Sequence, residues 1–344
     1  MSINTQSPSA AGQHQGHHHH VHQQAPRRRA SDFADDAVAK ASRVSVAMPA
    51  VVPCTVLPDV QEAASVTAEI VHRAFSHPRR FPLSARDAEV LQTATAGRVP
   101  TGGLSVATWT WSATASSAAV ASTLSPAPHQ DRRRRPRVLM VHGWESRASH
   151  WAAWIPLLLA AGFDVVAFDS PAHGDSEGET VDVKGVGQAA LDVAQALGPI
   201  DAVIGHSMGS AATLYALAEG LRVKGSVHLA GPSSLERVTR YFAWQAGLHK
   251  SAWPRFQQLV VQGLGQPLVS LELPQQQHGL QHPGLIWHDR QDAEVPFAES
   301  LALSQAWPDA TLKEATGLGH RRILRDATLI EQSVAFLLPL LARR

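Results

Sequence analysis

Cysteine and charged residues are both scarce in this 344-residue chain. A single cysteine, Cys54, excludes an intramolecular disulfide framework and a cysteine-rich zinc site. Charged residues make up 17% of the chain, against a usual ~25%. The 30 lysines and arginines balance the 29 aspartates and glutamates to a net charge of +1. This even balance excludes a globally basic nucleic-acid binder and a strongly acidic buffer protein, so we expect no nucleic-acid partner.

Long apolar runs are missing as well. The best run, from Trp151 to Phe163, contains Pro156 and is too short for a membrane span, which needs about 20 residues. The stretch from Met1 to Gly16 is polar and lacks the basic and apolar regions of a secretory signal. These absences predict a soluble, cytoplasmic protein without a membrane span. They do not indicate its oligomeric state.

The N-terminal stretch does not have the pattern of a folded core. It carries a histidine tract over 14–22, and prolines interrupt its only apolar segment at Pro49, Pro53 and Pro58. A histidine tract can bind metal, but a solvated tail or a leftover affinity tag is the simpler interpretation. We therefore predict a disordered, His-rich tail over 1–75, with a short helix at about 62–75, followed by one folded domain over 76–344.

Within that domain, short apolar runs alternate with segments of helical spacing. Seven runs predict strands, at Leu104–Trp111, Val138–Val141, Asp164–Phe168, Ala202–Gly205, Ser226–Ala230, Gly284–His288 and Thr311–Ala315. Continuously apolar strands are typical of a parallel sheet buried on both faces. Apolar spacing predicts helices over 186–197 and 330–341, the second behind Asp326 as N-cap, and Ser84 opens another. The alternation predicts an α/β fold, with a mostly parallel sheet and helices on both faces.

Two connections are unusually long. Residues 112–136 are rich in Ser, Ala and Pro and end in four arginines, which predicts a flexible surface insertion. Residues 231–283 separate two predicted strands and include Tyr241, Phe242, Trp244, Trp253 and Phe256. A connection of this length is unusual between a strand and the next, so we predict a small helical cap over the carboxyl edge of the sheet. Its aromatic residues form either the cap's own core or the wall of an apolar pocket.

The most specific motif is Gly-His-Ser-Met-Gly at 205–209. It follows an apolar strand and precedes a segment with helical character. In this context G-x-S-x-G is typical of a nucleophile elbow, a turn so tight that small residues must flank it and the serine stays exposed. We therefore predict Ser207 as a nucleophile.

An exposed serine nucleophile also needs donors for the oxyanion that forms when it attacks a carbonyl. Such enzymes take one backbone N–H from the loop after an early strand and one from the residue after the nucleophile. Here the strand Val138–Val141 runs into His-Gly-Trp-Glu at 142–145. We predict the amides of Trp144 and Met208 as the donors, and a structural role for His142.

A serine hydroxyl is activated by a base, whose tautomer a third group holds. We predict His320 as the base, because it lies in a glycine-flanked loop between the last predicted strand and the last helix. The rival histidines are His278, His282 and His288. We predict Asp292 as the orienting acid, with Asp289 and Glu294 as rivals nearby.

The order Ser207, Asp292, His320 is that of the α/β-hydrolase superfamily, which the chain resembles over about 98–342. The chain is most similar to small bacterial α/β-fold hydrolases with an HGWE oxyanion loop and a GHSMG nucleophile elbow. The loop over 169–176 also fits, whereas the tail, the insertion and the pair His288-Asp289 depart from the family pattern. The resemblance implies an α/β-hydrolase fold.

The resemblance and these residues together imply acyl transfer to water. The expected substrate is a small-molecule ester or thioester of a small to medium acyl group, cleaved through an acyl-enzyme without a cofactor or a metal ion. An aspartate nucleophile is excluded because position 207 is serine. Two alternatives stay open: an acyltransferase or perhydrolase that uses the same triad, and a non-catalytic receptor that binds a small apolar ligand under the cap.

Overall fold

The computed structural model describes residues 60–113 and 134–342. The predicted tail up to residue 59, with its histidine tract, lies outside the described residues, as does 114–133 of the predicted insertion.

Within the described residues, one mixed sheet of eight strands forms the centre of the fold. The strands are β1 (Thr95–Thr101), β2 (Leu104–Trp111), β3 (Arg137–Val141), β4 (Asp164–Phe168), β5 (Ala202–His206), β6 (Gly225–Leu229), β7 (Gly284–Asp289) and β8 (Ala310–Ala315). Their spatial order is β1-β2-β4-β3-β5-β6-β7-β8. β1 and β2 pair antiparallel with their neighbours, and β3 to β8 are parallel. The predicted α/β fold with a mostly parallel sheet is confirmed.

Helices cover both faces because the central strands are apolar on both sides. In β3, Val138 and Met140 pack into the core on one face, while Leu139 and Val141 pack into the core on the other. This is the two-residue alternation of a strand. The helices are α1 (Val60–Ser76), α2 (Ala85–Gln92), α3 (Ile155–Ala160), α4 (Val183–Leu197), α5 (Met208–Ala218), α6 (Leu235–Gln245), α7 (Trp253–Leu264), α8 (Leu273–Gln276), α9 (Phe297–Ala306), α10 (Gly319–Arg322) and α11 (Ala327–Ala342).

Side-chain caps start the helices where the sequence indicated. Ser84 and Asp87 form a reciprocal capping box at α2. Asp326 Oδ1 accepts the N–H of Leu329 at 2.8 Å, so it caps α11 as predicted. Such caps satisfy N–H groups that have no partner within the helix.

Strand β1 was missed by the sequence pattern. Helix α2 ends at Gln92, and the chain then turns into an edge strand whose residues are mostly exposed. Gly102 and Gly103, with φ of 52° and 81°, make the tight turn into β2. An exposed edge strand shows no alternation of apolar and polar residues. Only its hydrogen bonds to the partner strand β2 identify it as a strand.

Helices fill the long connection between β6 and β7, as predicted. α6, α7 and α8 lie in it, with short 3₁₀ turns at Lys250–Ala252, Leu268–Leu271 and Gln277–Gly279. Phe256, Val260 and Leu264 of α7 are buried in a third apolar cluster, separate from the two beside the sheet. The connection therefore packs around an apolar cluster that it shares with α1 and α5.

The predicted boundary of the tail at residue 75 is wrong. Helix α1 starts at Val60, and its residues Ala68 and Val71 are buried against the cap. The prolines that suggested disorder all precede this helix, and an apolar stripe at Ala68, Val71 and Phe75 gives it a packing face. In the described part of the chain, no helix is both long and apolar enough to cross a membrane.

Candidate active site

Ser207 occupies a strained turn between β5 and α5. Its φ of 53° and ψ of −124° are rare for a residue with a side chain. A Cβ on Gly209 would lie 2.2 Å from the carbonyl oxygen of Val141, and one on Gly205 would lie 2.7 Å from that of Gly209. Only glycine fits at either position. The motif therefore contains glycines because neighbouring backbone fills the space on both sides of the serine.

The structure brings together the three residues that the sequence predicted as a triad. His320 Nε2 lies 2.8 Å from Ser207 Oγ, and His320 Nδ1 lies 2.7 Å from Asp292 Oδ2. A carboxylate accepts, so Nδ1 carries the proton, and Nε2 is left to accept the hydroxyl of Ser207. This is the arrangement in which an imidazole can remove a proton from serine.

The side chain of Asp292 is fully buried but remains strongly acidic. Burial raises its pKa, but hydrogen bonds from His288 and His320 outweigh this effect and hold the pKa well below its usual range. Oδ1 accepts the N–H groups of Glu294 and Val295 at 2.8 and 2.9 Å. A carboxylate satisfied by several donors keeps its charge and its orientation.

Neither rival acid contacts His320. Asp289 Oδ2 accepts the N–H groups of Leu318 and Gly319, the second at 2.7 Å, and so holds the loop that carries His320. Burial raises the pKa of Asp289, but these and one further backbone donor lower it overall. Glu294 pairs instead with Arg321, at 2.8 Å. Asp289 therefore supports the loop.

The rival histidines are also placed elsewhere. His288 lies behind the acid, with Nε2 3.3 Å from Asp292 Oδ2 and Nδ1 2.6 Å from Ser300 Oγ. His278 Nε2 donates to the carbonyl of Ala218 at 2.8 Å, and His282 Nε2 lies 2.9 Å from Ser226 Oγ. The sequence indicates His288 only as a rival base, and no local pattern indicates its contact with Asp292.

His206, beside the nucleophile, holds the main chain of His320. Its Nε2 donates to the carbonyl oxygen of His320 at 2.9 Å, and the two rings lie 4.9 Å apart. Burial lowers the pKa of His206 to about 3, so the ring is neutral near neutral pH. A neutral ring here avoids placing a second positive charge beside His320.

The loop after β3 approaches the nucleophile closely. A Cβ on Gly143 would lie 3.0 Å from Ser207 Cβ, so only a glycine allows this approach without displacing a neighbour. The amides of Trp144 and Met208 follow Gly143 and Ser207, respectively. In the described part of the chain, neither amide donates to another protein group. One unused donor thus follows the serine and the other follows the glycine that approaches it, and an oxyanion hole needs free donors of this kind.

His173 supports this loop from the far side. Its Nε2 accepts the N–H of Glu145, in a left-handed conformation with φ of 52°, at 3.1 Å. Its Nδ1 donates to the carbonyl of Pro171 at 3.0 Å. Burial lowers the pKa of His173 to about 4, so the ring stays neutral and can accept. His142 Nε2 likewise accepts the N–H of Ser170, at 2.9 Å, which is a structural contact.

A cavity of about 630 Å³ opens beside Ser207 and His320. The cap contributes Leu235, Val238, Tyr241 and Phe242 to its wall, and α1 contributes Phe75. Trp244 is 44% exposed and Trp253 packs on Phe256; neither lines the cavity. The cap's aromatic residues thus divide between wall, core and surface. Sequence spacing alone could not assign them, because the orientation of α6 depends on tertiary packing.

This chain belongs to the alpha/beta hydrolase family, because the family's model matches residues 138–332, more than half of its length. The resemblance seen in the sequence is confirmed at the level of the superfamily. Membership in this family indicates a hydrolase. A search of curated proteins found no match to the sequence.

Several solved structures share the fold. An esterase from Pyrococcus furiosus aligns with a TM-score of 0.55 at 20% identity, over 78% of this chain and 97% of its own. A putative lipase from Acinetobacter baumannii gives 0.53 at 15% identity, over 85% and 100%. Est1E from Butyrivibrio proteoclasticus, solved with ferulic acid, gives 0.52 at 16% identity, over 72% and 100%. At these identities the likeness concerns the fold.

Proposed function

We propose that this protein is a serine hydrolase that cleaves an ester or thioester of a small to medium acyl group through an acyl-enzyme intermediate. The observation that carries the proposal is the continuous hydrogen-bond chain from Ser207 through His320 to Asp292, at 2.8 and 2.7 Å, at the wall of an apolar cavity.

In the first step, His320 Nε2 takes the proton of the Ser207 hydroxyl as Oγ bonds to the substrate carbonyl carbon. The buried carboxylate of Asp292 stabilises the resulting imidazolium. His320 then gives this proton to the leaving alcohol or thiol as the bond to the acyl carbon breaks. Water, deprotonated by His320, next attacks the acyl-enzyme, which releases the acid and restores Ser207.

Both tetrahedral intermediates carry a negative oxygen that needs donors. The amides of Trp144 and Met208 are the proposed donors, since they follow Gly143 and Ser207, which lie against each other, and have no partner among the described residues. Removing one such donor typically costs about 10²–10³ in kcat. Rigid supports for the loop, such as the bond from Glu145 to His173, lower the reorganisation that the reaction requires.

The size of the cavity supports a small-molecule substrate. A volume of about 630 Å³ falls within the range of roughly 300–1,000 Å³ that is typical of small-ligand sites. Helices α1 and α6 cover it, which disfavours a folded protein as substrate. The complete triad argues against a receptor without activity, because ligand binding alone does not need three aligned groups.

The proposal is tested with a fluorophosphonate, which labels an activated serine, and with p-nitrophenyl esters of increasing acyl length. We expect labelling of Ser207 and turnover of short and medium esters. Ser207→Ala should lose labelling and several orders of magnitude in kcat, with an unchanged circular dichroism spectrum. Equal turnover by Ser207→Ala would refute the proposal.

A further inference from the structure

The N-terminal helix α1 contributes to the wall of the cavity beside Ser207. The cavity that Ser207 lines is also lined by three residues of α1 and by the residue that follows it: His72, Phe75, Ser76 and His77. More than 120 positions of sequence separate them from Ser207. The cap and this helix are therefore two separate segments that both line the cavity.

Phe75 makes aromatic contacts between the two segments. Its ring meets Phe242 of α6 edge to face, with centroids 5.1 Å apart, and Phe256 of α7 in the same way at 5.9 Å. Phe242 also lines the cavity. The pair Phe75–Phe242 thus forms a bridge of apolar surface between α1 and α6.

The helix is anchored along one face. Ala68 and Val71 are fully or almost fully buried in the same cluster as Phe256. At its end, the carbonyl oxygen of Ser76 accepts the N–H of Val181 at 3.1 Å. Phe75 therefore lies between the buried part of the helix and the hydrogen bond at Ser76, and both fix its position. A side chain must be fixed in this way to limit the size of a ligand.

The residues after α1 hold the loops beside the active site. Arg79 donates from Nε and Nη2 to the two carboxylate oxygens of Glu145, at 2.9 and 2.7 Å, next to Trp144. Arg80 donates to the carbonyl oxygens of Gly174 and Gly178, both at 2.7 Å. The segment 77–80 thus joins α1 to the loop that follows β3 and to the loop that follows β4.

We propose that Phe75 is a specificity-determining residue that limits the length of an aliphatic, uncharged acyl chain; this rests on the ester hydrolysis proposed above. Phe75, Phe242, Val238, Val260 and Leu264 give this part of the cavity an apolar wall. Burying a charged group against such a wall is unfavourable, whereas a hydrocarbon chain gains free energy there. Truncating the Phe75 ring lengthens the space that the chain occupies.

The test uses full-length Phe75→Ala and Phe75→Trp with p-nitrophenyl esters from acetate to palmitate. Phe75→Ala should move the optimum of kcat/KM by two or more carbons toward longer chains, and Phe75→Trp toward shorter ones. One methylene in an apolar pocket discriminates by roughly 10- to 200-fold, so we expect about a tenfold or greater change in the long-to-short ratio. Ile70→Ala is the matched control, since Ile70 lies on the same helix but is 59% exposed.

Two further measurements separate this proposal from the proposed function. The native protein, the two Phe75 variants and Ile70→Ala should all be labelled by a fluorophosphonate at equal rates. Equal rates show that the reactivity of Ser207 is unchanged. The affinities of octanoic and tetradecanoic acid for Ser207→Ala, measured with and without Phe75→Ala, show the effect of Phe75 on chain-length preference without catalysis. The proposal is overturned if both Phe75 variants keep the native chain-length profile and acid preference, or if Ile70→Ala shifts them as much.

Discussion

His288 and His320 contact the same carboxylate oxygen of Asp292, with Nε2 of His288 at 3.3 Å and Nδ1 of His320 at 2.7 Å. All three side chains are buried or nearly so. His288 also reaches the carbonyl of Val295 at 3.0 Å, and Ser300 fixes its other nitrogen. The acid of the candidate triad is thus held by a second histidine that does not contact the nucleophile.

This contact predicts an effect of His288→Leu on turnover. Loss of the donor raises the pKa of Asp292 and loosens its orientation toward His320. A hydrogen bond to a charged group contributes roughly 1.5–3 kcal/mol, so kcat should fall by about 10- to 100-fold. Measuring kcat and KM from pH 5 to 9 checks this. An unchanged kcat, in a variant that stays folded, would leave His288 without a role in the reaction.

The three acids near the last loops should respond unequally to removal of charge. Asp292→Asn deprives His320 of its acceptor and should reduce kcat by about 10⁴-fold. Asp289→Asn should reduce kcat less, because Asp289 does not contact His320 and only holds the backbone around Leu318, Gly319 and Gln291. Glu294→Gln loses an exposed ion pair with Arg321 and should change kcat little. If Asp289→Asn were the most damaging change, the orienting role would belong to Asp289.

His173 should affect the reaction through the loop that carries Trp144. In His173→Leu, the partly buried N–H of Glu145 loses its acceptor, at a cost of up to about 1–3 kcal/mol. We expect a lower kcat with little change in KM, because the oxyanion forms only in the transition state. His173→Gln, which retains an acceptor oxygen, should recover part of the loss. Equal defects in both variants would indicate a general packing effect.

The buried histidines predict a loss of stability at mildly acidic pH. Burial lowers the pKa of His206 and His228 to about 3 and that of His173 and His282 to about 4, from 6.5. The unfolded chain binds more protons below pH 6.5, so the free energy of unfolding decreases as the pH falls from there toward 4. One opposing group is Asp169, because burial raises its pKa to about 6.

Each of these histidines contributes up to about 2 kcal/mol to this loss by pH 5. Urea unfolding at pH 7.5, 6.5 and 5.5 measures it. The slope of the unfolding free energy against pH gives the number of protons taken up, which we expect to exceed one. A constant free energy over this range would contradict the prediction.

Two aromatic residues of α6 should differ in their effect on substrate preference. Phe242 lines the cavity, so Phe242→Ala should shift the ester chain-length profile toward longer chains. Trp244 lies on the same helix but points to solvent, so Trp244→Ala should leave the profile unchanged. Turnover of the ester panel by both variants distinguishes them. A shift in Trp244→Ala alone would place the substrate on the outer side of the cap.

Local patterns predicted much of this protein. Each central strand is a short apolar run between turn residues, and Ser207 is recognisable because its turn demands glycines in sequence. Asp292 and His320 were located by their order along the chain and by the strands that precede them.

Such local patterns do not predict contacts between segments that are distant in the sequence. The sharing of Asp292 by His288, the support of the His320 loop by Asp289 and the place of Phe75 in the cavity wall all depend on tertiary packing. The edge strand β1 was not predicted for a related reason, since only its pairing with β2 defines it as a strand.

The bridge between Phe75 and Phe242 couples the evolution of the cap to that of the segment around Phe75. The cap is an insertion between two adjacent strands, and by itself it could be exchanged without disturbing the sheet. Because a separate segment near the N-terminus completes the cavity, a new cap would fit only alongside a matching change around Phe75. Relatives that acquire different substrates should therefore show paired replacements in these two stretches, inherited together.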